Sequence, residues 1–535
     1  MSEMMEGPTN VTEDGLLERA RQEGTAHRDL HHRPISPETL RKRLRSVRPV
    51  RACLSRPSEP NVGEGERVGA GAYLCLCCWV WLNLRMVMPP RQDEGEEPLA
   101  PTYPFNEPGD DVRLYEGSLF GPAERAARGR VLLRCGSRLE VVWRLDEPPP
   151  QELVAQVLLE GEIRLRIHQA SAVHEVAGLR RNSTEGLVHG QSMGDESAPL
   201  RRVLLHWMNL PAFHSPTRIC LDDGSWWNGR WRFPIGPWQL TLDTRQDHAR
   251  VWEVLGSEHN FAMTHVMEVT RSDDGEFTAA DFELLRQTLH FGVSFALGRW
   301  VGPAAPVGIS AAGSIAWQQW AAVFCVPGRN GGLAWLHHTR SHDLQEFLSC
   351  AYRAFIDPDR THTTRLLLSM AIEANHSGRV EQRTMTAFSA LELLSWVVLK
   401  LTSGFSRTKY DALRADGRIR MLLERARVDT SVDATRQPTL MQFAIAESSS
   451  DVPLDGPDAV KEIRNRLVHP NIPQDEVYHL DGLVTDAWLL SRHYLNLLIL
   501  HWLDYRGSYQ TVLGPGGWAG DSDPVPWASD VNQNR

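Results

Sequence analysis

The sequence predicts an α+β multidomain protein in which a β-rich region, an antiparallel sheet or sandwich with one helix, precedes an all-helical bundle. Between about residues 110 and 250, short apolar or alternating segments are separated by Gly, Pro, Asn and Asp, as in antiparallel strands. From about residue 342 onward, apolar residues recur at helical spacing in one segment after another. Moderate linkers between these segments favour a bundle.

The bulk composition is that of a soluble globular protein with several domains. The chain has 535 residues, of which 42% are hydrophobic and 23% charged, and this length predicts two to four domains. The formal net charge of -10 argues against a general nucleic-acid coat protein, which needs a basic field to neutralise phosphates. An enzyme that meets RNA through one local patch remains compatible with this charge.

Four regions follow from the changes in composition along the chain. We expect an extension over 1–88, a β-rich domain over 100–340, a helical domain over 355–512 and a disordered tail over 513–535. The extension is rich in Arg, Pro, Glu and Gly. It is interpreted as disordered, as untranslated sequence upstream of a start at Met86 or Met88, or as a basic nucleic-acid tail.

Cysteine usage and hydropathy indicate a cytoplasmic protein without a metal or a membrane span. The eight cysteines show no framework of paired spacings, which favours a reducing compartment. Cys75 and Cys78 form one C-x-x-C, but no second pair follows at finger spacing, so we expect no zinc site and no other cofactor. The apolar run Ala70–Leu84 is short for a membrane helix, and the first 60 residues are too polar for a secretory signal.

Individual β-region elements are predicted from local signals. Asn228-Gly229 between aromatic-rich arms predicts a hairpin turn. Residues 277–298 are expected to form a helix that begins after Thr278, with Asp281 three residues later. Strands are expected at four places: 130–135, 138–145, 152–168 and 201–208. Shorter strands are expected between about 306 and 326.

Six helices are expected in the C-terminal part, and two of them carry charged residues on their apolar faces. The expected helices are 343–356, 360–376, 379–401, 410–426, 457–469 and 475–505. At about 100° per residue, Arg464 falls on the same side of its helix as Val460, while Asn465 and His469 share another face. Glu392 likewise lies among apolar positions of the third helix. An isolated inward charge is costly, so three alternatives follow. Glu392 and Arg464 pair, or Arg464 faces a cleft where a phosphate can replace a counter-ion, or both side chains extend to solvent along their stems.

The segment EIRNRLVHP at 462–470 resembles the signature of HEPN domains, which has an arginine, a polar residue, three further residues and a histidine. The upstream FSALELLSW, which contains Glu392, and the downstream HYLNLLILHWLDYRGSY are similar to the matching helices of the ApeA-like branch of phage-defence proteins. The β-rich region resembles the N-terminal domain that accompanies them, more weakly.

The resemblance implies a metal-independent endoribonuclease that acts in anti-phage defence by abortive infection. His469 would serve as the acid or base for attack by the ribose 2′-OH, Arg464 would clamp the phosphate and Asn465 would orient it, with Glu392 in support. RNA is the implied substrate, with tRNA as a candidate, and a homodimer would bring two motifs together. A phage component would be the trigger. The alternative is a non-catalytic HEPN-like scaffold that dimerises or binds RNA, with the β-rich domain as the sensor.

Overall fold

A computed structural model describes residues 95–119, 127–147, 162–169, 172–328, 333–376, 378–469, 477–513 and 522–530. The predicted extension 1–88, with its basic run and its C-x-x-C, lies outside the described residues. So does the first part of the predicted strand 152–168. The described chain is mixed: a β-rich half with antiparallel sheets comes first, and a helical region follows.

The described part of the β-rich half contains two large antiparallel sheets. Strands of the smaller sheet are β1 (Val112–Ser118), β2 (Arg128–Cys135), β3 (Leu139–Leu145), β4 (Glu162–Gln169), β5 (Ala172–Arg180) and β6 (Glu185–Val188). Strands of the larger sheet are β7 (Gln191–Gly194), β8 (Arg202–Met208), β9 (Thr217–Cys220), β10 (Trp226–Ile235), β11 (Trp238–Thr244), β12 (Met263–Arg271), β13 (Pro303–Ile309) and β14 (Ile315–Trp320). The smaller sheet has the strand order β1-β2-β3-β6-β5-β4, and the larger has the order β7-β14-β13-β8-β12-β11-β10-β9.

The larger sheet is covered on both faces, because alternate residues of its strands enter different cores. In β8, Leu204 and Met208 pack with the smaller sheet, whereas Leu205 and Trp207 pack with helices. This explains the nearly continuous apolar run of β8, six of whose seven residues are buried. The layers are therefore the smaller sheet, the larger sheet and then helices.

The predicted hairpin at Asn228-Gly229 is wrong. Both residues lie inside the continuous strand β10, which pairs with β9 on one side and β11 on the other. The register shifts between Asn228 and Arg230, so the glycine marks a β-bulge rather than a turn. The reversal between β10 and β11 occurs instead at Gly236, where φ is +56°.

The described part of the β-rich half contains two helices, α1 (His248–Ser257) and α2 (Ala279–Leu297). The prediction for α2 is confirmed. The Thr278 side chain accepts a hydrogen bond from the backbone N–H of Asp281, whose carboxylate accepts from the Thr278 backbone N–H. Gly298 ends the helix in the left-handed conformation, with φ of +65°. No sequence pattern had predicted helix α1.

The helical region continues the same hydrophobic core. Leu344, Phe347 and Leu348 of its first helix belong to the cluster that contains Trp238 and Leu240 of the larger sheet. The helices are α3 (Ser341–Ile356), α4 (Thr361–His376), α5 (Val380–Trp396), α6 (Arg407–Asp411), α7 (Ala415–Arg425), α8 (Pro438–Ala446), α9 (Gly456–Val468) and α10 (Leu483–Trp502). A π-helical turn, Val397–Thr402, directly follows α5.

Three expectations for the helical part need correction. The helix expected over 410–426 is two helices, α6 and α7, because the backbone is extended at Arg414. Helix α8 was not expected. The last helix begins at Leu483 after Gly482, whose φ is +88°, rather than near residue 475.

The tail also differs from the expectation of disorder over 522–530. Asp523–Pro524 (β16) pairs with Ser508–Tyr509 (β15), Val525 is fully buried, and the Trp527 indole N–H donates to the Tyr505 carbonyl at 2.6 Å.

Among the described residues, one stretch, Val380–Thr402, is long and apolar enough to cross a membrane by length and composition alone. It comprises α5 and the π-helical turn and packs against α4 and α10. Ala387, Phe388, Leu391 and Leu394 are buried in the common core. These contacts are those of a core helix, so this stretch is weak evidence for a membrane span.

Candidate active site

Helix α9 carries the sequence-predicted motif and has well-defined ends. Asp455 caps its N-terminus by accepting a hydrogen bond from the Asp458 backbone N–H at 3.0 Å, and Pro457 occupies the first turn. Ala459, Val460 and Ile463 form its buried face. At the other end, His469 leaves the helical conformation, with φ of -129° and ψ of 69°. The motif is thus placed on the last turn of the helix.

Arg464 lies between α9 and α5, as the helical-wheel argument predicted. Its guanidinium is 3.8 Å from the Glu392 carboxylate, and both side chains are partly exposed, at 26% and 36%. It lies 5.6 Å from the centre of the Phe388 ring and donates to the Asn465 amide oxygen at 3.2 Å. Of the alternatives left by the sequence, the structure shows the pairing of Glu392 with Arg464, and both side chains are partly exposed.

His469 is exposed and is not brought to this group by the described contacts. Its backbone N–H donates to the Asn465 carbonyl at 2.7 Å, which closes the last turn. Among the contacts of the described residues, none joins the His469 imidazole to Arg464, Asn465 or Glu392. Among the described residues, the structure therefore brings together three of the four predicted site residues, and His469 is exposed outside that group.

The cations of α9 differ in how tightly they are paired. Arg466 donates to the Glu447 carboxylate and lies 5.0 Å from the Phe443 ring centre, which joins α9 to α8. Lys461 lies 3.1 Å from Asp458 and 3.3 Å from Asp416. The contact of Arg464 with Glu392 is an ion pair without a hydrogen bond among the described contacts. Arg464 is therefore the α9 cation most available to an incoming anion.

A charged network that the sequence reasoning missed holds the first turn of α9. Arg420 of α7 donates to Asp455 at 2.9 Å and to Asp458 at 2.7 Å, and lies 3.7 Å from Asp416. The hydrogen bonds to Asp455 raise the pKa of Arg420, while burial raises that of Asp458. The only local signal was an acidic first turn after a capping aspartate, which does not identify a partner 35 residues away.

Metal ligation has no geometric support within the described part of the chain, where no three His, Cys, Asp or Glu side chains form a group suited to hold an ion.

Two segments of the chain are similar to domains of YopA proteins. Residues 195–331 match the model of the YopA central domain, and residues 357–523 match that of the YopA C-terminal domain. The first match includes strands β8 to β14 with helices α1 and α2, and the second runs from α4 to β16. Neither model is a HEPN or ApeA model, so that resemblance stays a prediction.

The particular relative found is the SPbeta prophage-derived uncharacterized protein YopA of Bacillus subtilis (strain 168). It is 28% identical over 309 residues, which cover 57% of this chain and 67% of the relative. No solved structure matches the chain significantly.

Proposed function

We propose that the helical region is a HEPN-like, metal-independent endoribonuclease and that Arg464, Asn465 and His469 are its active-site residues, supported by Glu392. The observation that supports the proposal is the loosely paired and partly exposed Arg464, five residues before an exposed histidine. In RNA cleavage, the guanidinium would exchange Glu392 for the scissile phosphate and stabilise the charge that develops on it. The imidazole would accept the proton of the ribose 2′-OH as that oxygen attacks phosphorus. The bond from phosphorus to the 5′ oxygen breaks, the 5′ oxygen takes up a proton, and a 2′,3′-cyclic phosphate remains on the other product.

A homodimer completes this site in the proposal. His469 is exposed, and no contact among the described residues joins its imidazole to Arg464 of the same chain. Two α9 helices that face each other across a two-fold axis would place the His469 of one chain against the Arg464 of the other. The protein would act in the cytoplasm.

The biological setting proposed is anti-phage defence, with tRNA as a candidate substrate and a phage component as the trigger. The similarity to a protein described as prophage-derived connects the chain to phage biology. The β-rich half would serve as the sensor.

The first experiment measures cleavage by the purified protein in EDTA. End-labelled tRNA is incubated with the wild type, His469→Ala, Arg464→Ala and a control, His189→Ala, which removes an exposed histidine of the β-rich half. We expect a loss of about 100-fold or more in cleavage rate for the first two variants, no change for the control, and 2′,3′-cyclic phosphate ends on the products. Equal rates in the wild type and His469→Ala, or an absolute need for a metal, would refute the proposal.

A second experiment tests the composite site. Arg464→Ala and His469→Ala are unfolded together and refolded as a mixture. If each site takes its arginine and histidine from different chains, mixed dimers regain one intact site and the mixture regains about a quarter of wild-type activity. Light scattering that shows an active monomer would contradict the composite site.

A second candidate function, a non-catalytic scaffold, is favoured by the packing of Arg464 on Phe388 and its pairing with Glu392, which together join α9 to α5. In that case Arg464→Ala lowers the melting temperature, and neither the wild type nor any variant cleaves RNA.

A further inference from the structure

A pocket of about 350 Å³ lies in the β-rich half and shares no residue with the helical candidate site. Its volume falls within the range of small-molecule sites, about 300–1,000 Å³. Its apolar walls include Leu99, Pro101, Phe105, Leu221, Trp227 and Val266. The turn that follows β11, Arg245–Asp247, supplies polar residues.

Each charged side chain that lines the pocket is already neutralised by the protein. Asp243 accepts from both arms of Arg230, at 2.7 and 2.6 Å, and from the Leu99 backbone N–H at 2.7 Å. The Nε of Arg245 donates to the Asp247 carboxylate at 2.6 Å. Its Nη1 donates to two backbone carbonyls, those of Asn106 at 2.9 Å and Met263 at 3.0 Å. A charged ligand would lose its hydration here without gaining an unpaired counter-ion, which is unfavourable.

The aromatic walls are held in place by their own contacts. The Trp227 indole N–H donates to the Thr244 carbonyl at 2.9 Å, which fixes the ring against the end of β11. The Phe105 ring lies 5.0 Å from the Arg245 guanidinium, which is itself fully held. Phe105 remains 37% exposed, so its ring is accessible. Rings that are fixed before binding lose little freedom when a ligand stacks on them.

We propose that this pocket binds a small, uncharged aromatic molecule. The apolar walls provide most of the burial, the two fixed rings favour an aromatic ligand, and the internally paired charges select against an ion. This inference goes beyond the ribonuclease proposal and does not depend on it, because the two sites share no residue.

The test uses two probes that have the same rings and differ in one charge. N-phenyl-1-naphthylamine is neutral, and 1-anilinonaphthalene-8-sulfonate carries an added sulfonate. Each is titrated into the full-length protein and its fluorescence is followed. We expect one saturable site for the neutral probe and at least 10-fold weaker binding of the sulfonate. Equal or tighter binding of the sulfonate would overturn the proposal.

Three variants locate the binding site. Phe105→Ala removes an aromatic wall and Leu221→Trp adds volume to another, and each should weaken binding of the neutral probe at least 10-fold. Phe324→Ala removes a phenylalanine that is 63% exposed and outside the pocket, and it should bind as the wild type does. Circular dichroism and a thermal melt establish that each variant is folded. If folded Phe105→Ala binds the neutral probe like the wild type, the pocket is not the site.

Discussion

Replacing Arg420 by alanine removes the cation that joins α7 to the first turn of α9. Its guanidinium donates to Asp455, the residue that caps α9, and to Asp458 in the first turn. Without it, Asp416, Asp455 and Asp458 would repel one another, with Lys461 as their remaining described cation. The perturbation therefore acts on the start of the helix whose end carries the candidate active site.

The magnitude follows from the exposure and the number of bonds. The Arg420 side chain is 28% exposed and the two aspartates are 24% and 30% exposed, so the interaction is neither fully screened nor fully desolvated. Hydrogen bonds to charged groups contribute about 1.5–3 kcal/mol each, and breaking a buried pair costs about 3–5 kcal/mol. With partial solvent screening, we expect Arg420→Ala to destabilise α9 locally by about 2–3 kcal/mol.

Amide hydrogen exchange of peptides from α9 measures this local change. Since each 1.36 kcal/mol is a factor of ten, exchange should accelerate by roughly 30- to 150-fold in the first turns of α9. Arg420→Lys keeps the charge but not the planar fork and should recover part of the protection. The matched control is Arg407→Ala, because Arg407 is 91% exposed and pairs with Asp411 within its own helix. An effect of Arg420→Ala no larger than that of the control would refute this account.

Two further predictions concern pH and packing. Burial lowers the pKa of His206 to about 4 and that of His265 well below its usual 6.5, so below pH 6.5 the unfolded chain takes up protons that the folded chain does not. The free energy of unfolding should be highest above pH 6.5 and fall towards pH 4 by up to about 1.4 kcal/mol per pH unit for each imidazole; calorimetric melts that do not change between pH 7 and pH 5 would contradict this. A Cβ on Gly456 would lie 2.1 Å from the Tyr494 hydroxyl oxygen, so Gly456→Ala should lower stability by about 1–3 kcal/mol and Tyr494→Phe should recover part of it. A thermal melt of Gly456→Ala equal to that of the wild type would exclude this close contact.

Local patterns predicted elements whose ends and faces are determined by neighbouring residues. Helix α2 was predicted from Thr278 and Asp281 because a capping box needs only four consecutive residues. Asn228-Gly229 misled because the same dipeptide suits both a turn and a bulge, and only the strands on either side of β10 select between them. Local sequence was therefore enough to predict where α2 begins, but it could not distinguish a turn from a bulge in β10.

The candidate site shows the same division. Helical periodicity alone directed Arg464 and Glu392 inward, and the structure pairs them. It could not show that His469 would remain exposed and outside their contacts, because the position of the end of α9 relative to α5 depends on how the bundle packs. Nor could it find Arg420, since contacts between α7 and α9 depend on how the bundle packs.

By itself, the sequence determined the order of β-rich and helical regions, most helices and the faces on which charged residues lie. These properties depend on periodicity and on contacts within a few residues. The tertiary structure decided that both halves share one core, that Arg420 holds α9, and that Asp243 and Arg245 leave a neutral pocket. Such features depend on which distant segments meet, and burial determines whether a charge there must find a partner.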